Sequence, residues 1–415
     1  MLTAKQIRIL VVSTLSLGLM VWLLNYSRPL VYAVSGSRQL KQSEIQTALA
    51  SPLNEGKFPD SLWFELPGGG FQKISVEYTL DERLQNKMDW LFRRWKPDYG
   101  AFAAVDAETG EVLVLSSYAR EDHTLGNLAL RASYPAASIF KVVTAAAAIN
   151  ERVFTPDSEV EFNGGNHTLY RRNVTSNERN RWTRSVSLRK AFARSINTIF
   201  GKVGIRVGSE VLESYAERFM FNRFLPGDLP VQPGTFQYKD ESDPFNVAEI
   251  ASGFNRTVLM SPLQGAMIAA TVANDGVMMS PHLVRRLKDW DGHTAYHADG
   301  TPLYQATPEP ASRVLRPGTA ANLRVLMQET LKGGTASYAF VGVKNTVDSD
   351  VFHLGGKTGT LRGKNPVGSN DWFVGYVLSN DRRIAIAALT VNVKLWRIKS
   401  ATVARKFVEW AYPTR

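Results

Sequence analysis

Segments with strand character lie towards the two ends of this 415-residue chain, and a long helical stretch separates them. Residues 101–105 and 112–116 flank Asp106-Ala107-Glu108-Thr109-Gly110, a turn-forming run, and predict an antiparallel hairpin. Residues 353–361, 372–378 and 384–393 predict three more strands joined by short turns. Between them, from about residue 188 to 284, the apolar spacing is mostly helical, with helices over 189–194, 197–207, 210–219 and 262–273. Residues 317–331 and 399–411 also read as helices. Strands need partners for their backbone N–H and C=O groups, so the two ends must meet in one five-stranded antiparallel sheet. Helices then pack on its faces, with an all-helical lobe beside it: an α+β fold.

The amino end has a different physical character. Lys5 and Arg8 precede an apolar run over 9–24, interrupted only by Ser13, Thr14, Ser16 and Gly18. With flanks to residues 7 and 26 it reaches the roughly 20 residues a spanning helix needs. Trp22 and Tyr26 fall where interfacial aromatics sit. The amino-terminal cations hold that end in the cytoplasm and send the rest outward. The expected layout is a cytoplasmic end over 1–8, a single-pass membrane anchor over 9–28, a connector over 29–72 and a folded domain over 73–415. Val31-Tyr32-Ala33 also permits a cleavable signal peptide, and a buried core helix is the third reading. Both of the first two export the body of the protein.

The absence of Cys fits an exported chain without disulfides or a lipid-modified cysteine. A net charge of +11 suits anionic lipid head groups or carboxylate-rich substrates, or is plain surface character. Nucleic acid does not fit an exported chain with dispersed Arg residues.

The connector holds Pro52, Pro59, Pro67 and Gly68-Gly69-Gly70, with one short helix expected over 42–50. Residues 76–80 have strand character. Asp81 is a candidate N-cap for a helix through Trp95, with Leu84, Met88, Leu91 and Phe92 on one face. Ser138 opens a buried helix through Asn150, and residues 289–303 read as a polar excursion.

Three short strings carry the chemistry. In Ser138-Ile139-Phe140-Lys141 a three-residue spacing on a helix puts Lys141 within reach of the Ser138 hydroxyl. A serine needs a positioned base, and a lysine is one only when burial or a neighbouring cation destabilises its ammonium. Ile139, Phe140, Val142 and Val143 supply apolar surroundings, and Lys357 is a candidate neighbouring charge. Alone, the pair reads first as a capping Ser beside a solvated Lys. Ser195-Ile196-Asn197 falls at a helix–helix turn that can aim both side chains into one cleft. The hydroxyl can relay a proton and the amide can anchor Lys141 and a substrate carbonyl; alone, the string is a helix cap. In Lys357-Thr358-Gly359-Thr360 a strand carrying Gly359 admits close backbone approach, which suits an extended peptide along a sheet edge. Lys357, Thr358 and Thr360 can hold a terminal carboxylate. Alone, the string fits a turn, which Gly355-Gly356 also permits.

In this order the strings resemble the S-x-x-K, S-D-N and K-T-G set of penicillin-binding proteins and class A β-lactamases, with Ser-Ile-Asn as the second element. From about residue 76 to 393 the chain resembles the transpeptidase domain of penicillin-binding proteins. The likeness includes Thr79-Leu80-Asp81, Ala104-Val105-Asp106, Thr109-Gly110-Glu111-Val112-Leu113, Ser261-Pro262-Leu263-Gln264 and Ala273-Asn274-Asp275-Gly276. It continues through Pro281-His282-Leu283-Val284, Gly334-Thr335-Ala336 and Asp371-Trp372-Phe373-Val374-Gly375-Tyr376.

The resemblance implies Ser138 as acylated nucleophile, Lys141 as base, and Ser195 and Asn197 as relay and positioning groups. It implies Lys357, Thr358, Gly359 and Thr360 as the substrate-binding strand, and the Ser138 and Thr360 backbone N–H groups as the oxyanion hole. It further implies a bacterial D,D-transpeptidase acting outside the inner membrane on peptidoglycan stem peptides. Such an enzyme is acylated by β-lactams and uses no metal or cofactor. A D,D-carboxypeptidase differs only in using water, and a sensor or scaffold would do little catalysis. A β-lactamase is disfavoured because no Glu-x-x-Leu-Asn-like element follows Ser195. The connector is too short for a glycosyltransferase or a large pedestal, so a partner glycosyltransferase is expected. Phe254-Asn255-Arg256 replaces a Gly-rich stretch of the family before Pro-Leu-Gln.

Other polar groups have weaker readings. His293 and His297 have a zinc-like spacing but lie between Asp-Gly turns and lack the accompanying Glu. His353 shares a strand face with Lys357 and otherwise reads as a surface residue. Arg171, Arg172, Arg179, Arg181 and Arg184 suit an anionic polymer or a solvated loop. No Walker-type or dinucleotide loop occurs.

Overall fold

The computed structural model describes residues 39–65, 71–289, 291–296, 300–342 and 352–412. The expected anchor at 9–28 lies outside the described residues. Among the described residues no helix is long and apolar enough to cross a membrane.

The two ends of the body pair as their strand pattern requires. β1 (Tyr99–Asp106) and β2 (Val112–Ala119) form the hairpin, and β3 (Phe352–Lys364), β4 (Val367–Ser379) and β5 (Arg383–Asn392) form the meander. The five-stranded sheet has the order β3-β4-β5-β1-β2 and is antiparallel throughout. β5 closes on β1 with Ala387 opposite Ala103. The Asp106 carboxylate accepts the N–H groups of Glu108 and Thr109, which shapes the hairpin turn.

Besides the short helix Arg171–Thr175, the helices in the same unit as this sheet include α1 (Glu82–Trp95), α2 (Phe140–Asn150), α3 (Leu188–Ala193), α4 (Asn197–Val207) and α5 (Ser209–Arg218). They continue with α6 (Pro244–Ser252), α7 (Pro262–Ala273), α8 (Pro317–Lys332) and α9 (Ser400–Ala411). Asp81 accepts the Leu84 N–H at 2.9 Å to start α1, and Ser261 does the same for Gln264, with Pro262 in the first turn of α7.

The strands are apolar on both faces because both faces are covered. Phe102, Ala104, Phe373, Val377, Ile384 and Ile386 pack against Leu84, Met88 and Phe92 of α1 and Val403 and Phe407 of α9. The intervening residues face α7, whose twelve residues are all buried. A Cβ on Gly265 of α7 would lie 3.2 Å from Val374 and 3.3 Å from Ala387. At about 25 cal/mol per Å² of apolar surface, this double burial is the main stabilising term of the unit.

The lobe is not all-helical as expected. Glu159–Phe162 and Arg184–Ser187 pair antiparallel within it, and their four residues each are too few for alternation to show in sequence. Part of the expected connector is also ordered. Gln42–Asn54 is helical, and Ser61–Glu65, Phe71–Tyr78 and Val284–Lys288 form a three-stranded sheet. Described residues up to Ala48, Pro59–Glu77 and Val284–Ala306 make one compact unit. Leu49–Phe58, Tyr78–Leu283 and Thr307–Arg415 make the other. The small sheet escaped notice because its third strand comes from far along the chain.

Trp372 of β4 is fully buried, donates from Nε1 to the Pro135 carbonyl at 2.9 Å and meets the Tyr134 ring edge-on. It thereby ties the sheet to the segment that leads into Ser138. Trp372→Ala is expected to lower the unfolding free energy by about 3–5 kcal/mol in urea denaturation. A loss below about 1 kcal/mol would contradict this account of the core.

Candidate active site

Ser138 stands on a single 3₁₀ turn, Ala137–Ile139, that runs into α2 at Phe140. The expected α-helix therefore begins two residues later than Ser138. Ala137 has φ of +49°, which is costly for a residue with a Cβ. Its neighbours hold it there. Gly253, at φ of +69°, packs so closely that a Cβ would overlap the Ala137 carbonyl, and a Cβ on Gly359 would lie 3.1 Å from the Ser138 nitrogen. The turn is clamped between the end of α6 and β3, with the Ser138 and Ile139 nitrogens close beside Gly359.

Lys141, in the first turn of α2, is fully buried. Its Nζ lies 2.8 Å from Ser138 Oγ, 2.7 Å from Asn197 Oδ1 and 2.6 Å from the Ser252 carbonyl. Burial, and then the charge of Lys357, push its pKa well below the usual lysine value. The Asn197 amide is oriented by its Nδ2 donating to the His167 carbonyl at 2.9 Å, so its oxygen faces the amine. Asn197 Oδ1 and the Ser252 carbonyl only accept. A neutral Lys141 therefore gives its two N–H groups to them and turns its lone pair towards the Ser138 hydroxyl.

Ser195 lies between α3 and α4 with φ of +56° and is buried. Lys357 donates to its Oγ at 2.9 Å and to the Thr358 carbonyl at 2.9 Å. Burial lowers the Lys357 pKa to about 7. Gly355 and Gly356 belong to β3 rather than to a turn, and they make room for the Tyr376 and Phe373 rings.

β3 is an edge strand, so its outer side offers backbone groups to an extended ligand. Thr358 and Thr335 share a hydroxyl–hydroxyl hydrogen bond, and Thr335 N–H donates to the Ala193 carbonyl at 3.0 Å. Thr360 Oγ1 donates to Asp371 Oδ1 at 3.2 Å, and the Ser400 N–H donates to Asp371 Oδ2 at 2.7 Å. Burial raises the Asp371 pKa to about 6 against those hydrogen bonds and the charge of Lys399.

These groups surround a cleft of about 320 Å³ lined by Ser138, Ser195, Asn197, Thr358, Gly359 and Thr360. A larger depression of about 650 Å³ runs along Glu161, Arg179 and Lys202, but its lining has no serine and no low-pKa lysine beside one. Of the two, the smaller cleft has a serine beside a buried lysine of lowered pKa. It also exposes His167, Tyr338, Trp396 and Lys399, which the sequence did not single out. Burial, and then the nearby Lys141 and Lys357 amines in their charged forms, lower the His167 pKa. No spacing marks it, because a loop between the paired short strands delivers it.

None of the remaining described candidates lines the cleft. His353 lines a separate depression with Asp275 and Arg383. His293 lies in a turn held by Asp289, and His297 lies outside the described residues. Among the described residues no group of His, Asp and Glu is arranged to hold a metal. The Arg cluster is solvated and largely paired: Arg171 with Asp243, Arg172 with Glu178, Arg179 with Glu161. Arg181 and Arg184 lie over the rings of Trp182 and Phe162. Exposed pairs of this kind contribute little stability.

The family profile described as penicillin binding protein transpeptidase domain matches residues 100–409. The peptidoglycan D,D-transpeptidase PbpA of Mycolicibacterium smegmatis is 28% identical over 356 residues, covering 76% of this chain and 65% of the relative. The chain thus spans about two thirds of that relative's length. The protein of the same name from Mycobacterium tuberculosis is 28% identical over 415 aligned residues, covering 88% of this chain and 78% of the relative. The solved imipenem acyl-enzyme complex of penicillin-binding protein A from M. tuberculosis superposes with a TM-score of 0.62 at 26% identity, covering 81% of this chain and 79% of that one.

The buried amines impose a pH dependence on folding. Lys357 has a pKa of about 7 when folded against 10.5 when free, so across that window the unfolded chain binds the extra proton. Stability therefore rises with pH through the window, and the depressed pKa of Lys141 acts in the same sense. Lys357→Met is expected to show a shallower rise in unfolding free energy from about pH 7 to 10 than the wild type. Equal slopes would contradict the buried neutral amine.

Proposed function

The chain belongs to the penicillin-binding protein transpeptidase domain family, and we propose that it is a peptidoglycan D,D-transpeptidase working through a Ser138 acyl-enzyme. The observation that carries this reading is Lys141 Nζ, fully buried and 2.8 Å from Ser138 Oγ. Lys141 takes the Ser138 proton as Oγ attacks the penultimate carbonyl of a D-Ala-D-Ala stem. The N–H groups of Ser138 and Thr360 receive the oxyanion, a role that the close approach of Gly359 to the Ser138 nitrogen supports. Thr358, Thr360 and Lys357 hold the terminal carboxylate along β3.

Collapse of the tetrahedral intermediate needs a proton on the departing D-Ala nitrogen. Ser195 is suited to pass it, with its hydroxyl 2.9 Å from Lys357. Asn197 fixes the direction of the Lys141 lone pair. The acyl group then passes to the amine of a neighbouring stem. A β-lactam presents a similar carbonyl and carboxylate, and the imipenem acyl-enzyme of the M. tuberculosis relative supports acylation of Ser138 by such drugs.

The substrate lies outside the membrane, which suits an anchor at residues 9–28 with Lys5 and Arg8 on the cytoplasmic side. The body then works on the periplasmic side of the inner membrane. Cross-linking consumes glycan strands that already bear stems, so a glycosyltransferase must supply them, and we place it as a partner. The described cleft accounts for acyl transfer alone.

Fluorescent penicillin should label the purified wild type at Ser138 and leave Ser138→Ala unlabelled. Lys141→Ala should label about 10²–10⁴ times more slowly. Equal labelling of Ser138→Ala would sink the reading.

A further inference from the structure

At the Thr360 end of the cleft the chain's own ammonium occupies a cage. Lys399 Nζ lies 4.8 Å from the centroid of the Tyr338 ring and 5.9 Å from that of Trp396. Its charge also reaches Asp371, where it opposes the effect of burial on that carboxyl. Asp371 in turn acts with burial to hold the Tyr338 phenol proton more tightly. All four side chains line the cleft that contains Ser138. Asp371 is only 8% exposed, and it is partnered by one hydroxyl and one N–H, from Thr360 and Ser400. The two carboxylate oxygens offer four acceptor positions, more than the hydrogen bonds from Thr360 and Ser400 fill. Tyr338 and Trp396 are each 47% exposed, and Lys399 is exposed. A long, exposed lysine with many rotamers is cheaply displaced.

We propose that Asp371, Tyr338 and Trp396 form the subsite for the acceptor's ammonium, which Lys399 fills until an acceptor displaces it. The proposal rests on the transpeptidase reading and names the acceptor as a primary amine that arrives protonated. Its position follows from the chemistry. Acylation expels an amine from the carbonyl, and deacylation by an amine retraces that path, so the incoming nitrogen must approach from where D-Ala left. D-Ala leaves from beside Thr358 and Thr360, the residues that hold its carboxylate, and the cage lies at that end. Aromatic faces and a carboxylate recognise an ammonium over a neutral group of equal size.

An ammonium is not a nucleophile, so it must first lose a proton. The Asp371 carboxylate takes one, leaving a neutral amine. The amine lone pair forms the new C–N bond at the Ser138 ester carbon, and the nitrogen passes its second proton through the Ser195 hydroxyl to Lys141. The C–O bond to Ser138 breaks as Lys141 returns a proton to Oγ, and Asp371 releases its proton to water. The products are the cross-link amide and free Ser138, with Asp371 and Lys141 back in their starting states.

The test is the partition of one acyl-enzyme between water and an added amine, which does not depend on how fast the acyl-enzyme forms. The full chain is acylated with a thioester of an N-acylated D-alanine. Amide and acid products are counted at fixed D-alanine, and ester and acid products at fixed D-lactate, its hydroxyl counterpart. Asp371→Asn and Trp396→Ala should each lower the amide-to-acid ratio by about tenfold, and Lys399→Met should raise it about threefold or more. With D-lactate, none of the three should move the ratio beyond about twofold.

An unchanged amide-to-acid ratio in the variants, or equal shifts with D-lactate, would overturn the subsite. Trp396 and Lys399 are exposed, so their variants keep the test valid if Asp371→Asn fails to fold. A wild type that forms no acyl-enzyme with thioester or fluorescent penicillin would instead fail the transpeptidase reading, and the subsite with it.

Discussion

Two lysine amines are buried in one cleft, and among the described residues every hydrogen-bond acceptor they have is neutral. Taking a charge out of water without a counter-ion costs several kcal/mol, so the cheaper state is loss of the proton. The rest of the site follows from that constraint. A neutral Lys141 can serve as a base, and each amine makes the other's charged form worse. The fold spends stability to hold them there, and both faces of the central sheet must be covered to supply it.

The same constraint explains the strained backbone. Ser138, 2.8 Å from the Lys141 amine, stands just before the helix on a turn with Ala137 at a positive φ. Ser195 is held at a positive φ so that its hydroxyl meets Lys357. Such conformations persist where surrounding packing over-determines them. Here the packing comes from α6 through Gly253, from β3 through Gly359 and from β4 through Trp372. Sheet and lobe meet at Ser138, Ser195 and Lys357.

The sheet was legible because its five strands are long apolar runs bounded by turn residues, and pairing leaves few ways to join them. Helices with capping residues, such as those begun by Asp81 and by Ser261-Pro262, were equally plain. The ordered strings brought Ser138, Lys141, Ser195, Asn197, Lys357, Thr358, Gly359 and Thr360 to one cleft, because their spacings suit a helix turn, a loop and a strand. What escaped was set by long-range packing. The pair Glu159–Phe162 and Arg184–Ser187 is too short to show a period, and the small sheet draws its third strand from a distant segment. His167, Tyr338, Trp396 and Lys399 reach the cleft from loops and element ends, where no local pattern records what they face.

The proposed chemistry requires a Lys141 that is uncharged in the folded, ligand-free protein. Direct titration of its Nζ, by ¹³C and ¹⁵N NMR of selectively labelled lysine with Lys141→Arg for assignment, tests it. A neutral-amine signal at pH 7 that becomes an ammonium only in acid, or on unfolding, is the result expected. An ammonium signal that persists to about pH 9 or above, near the value of a free lysine, would contradict it.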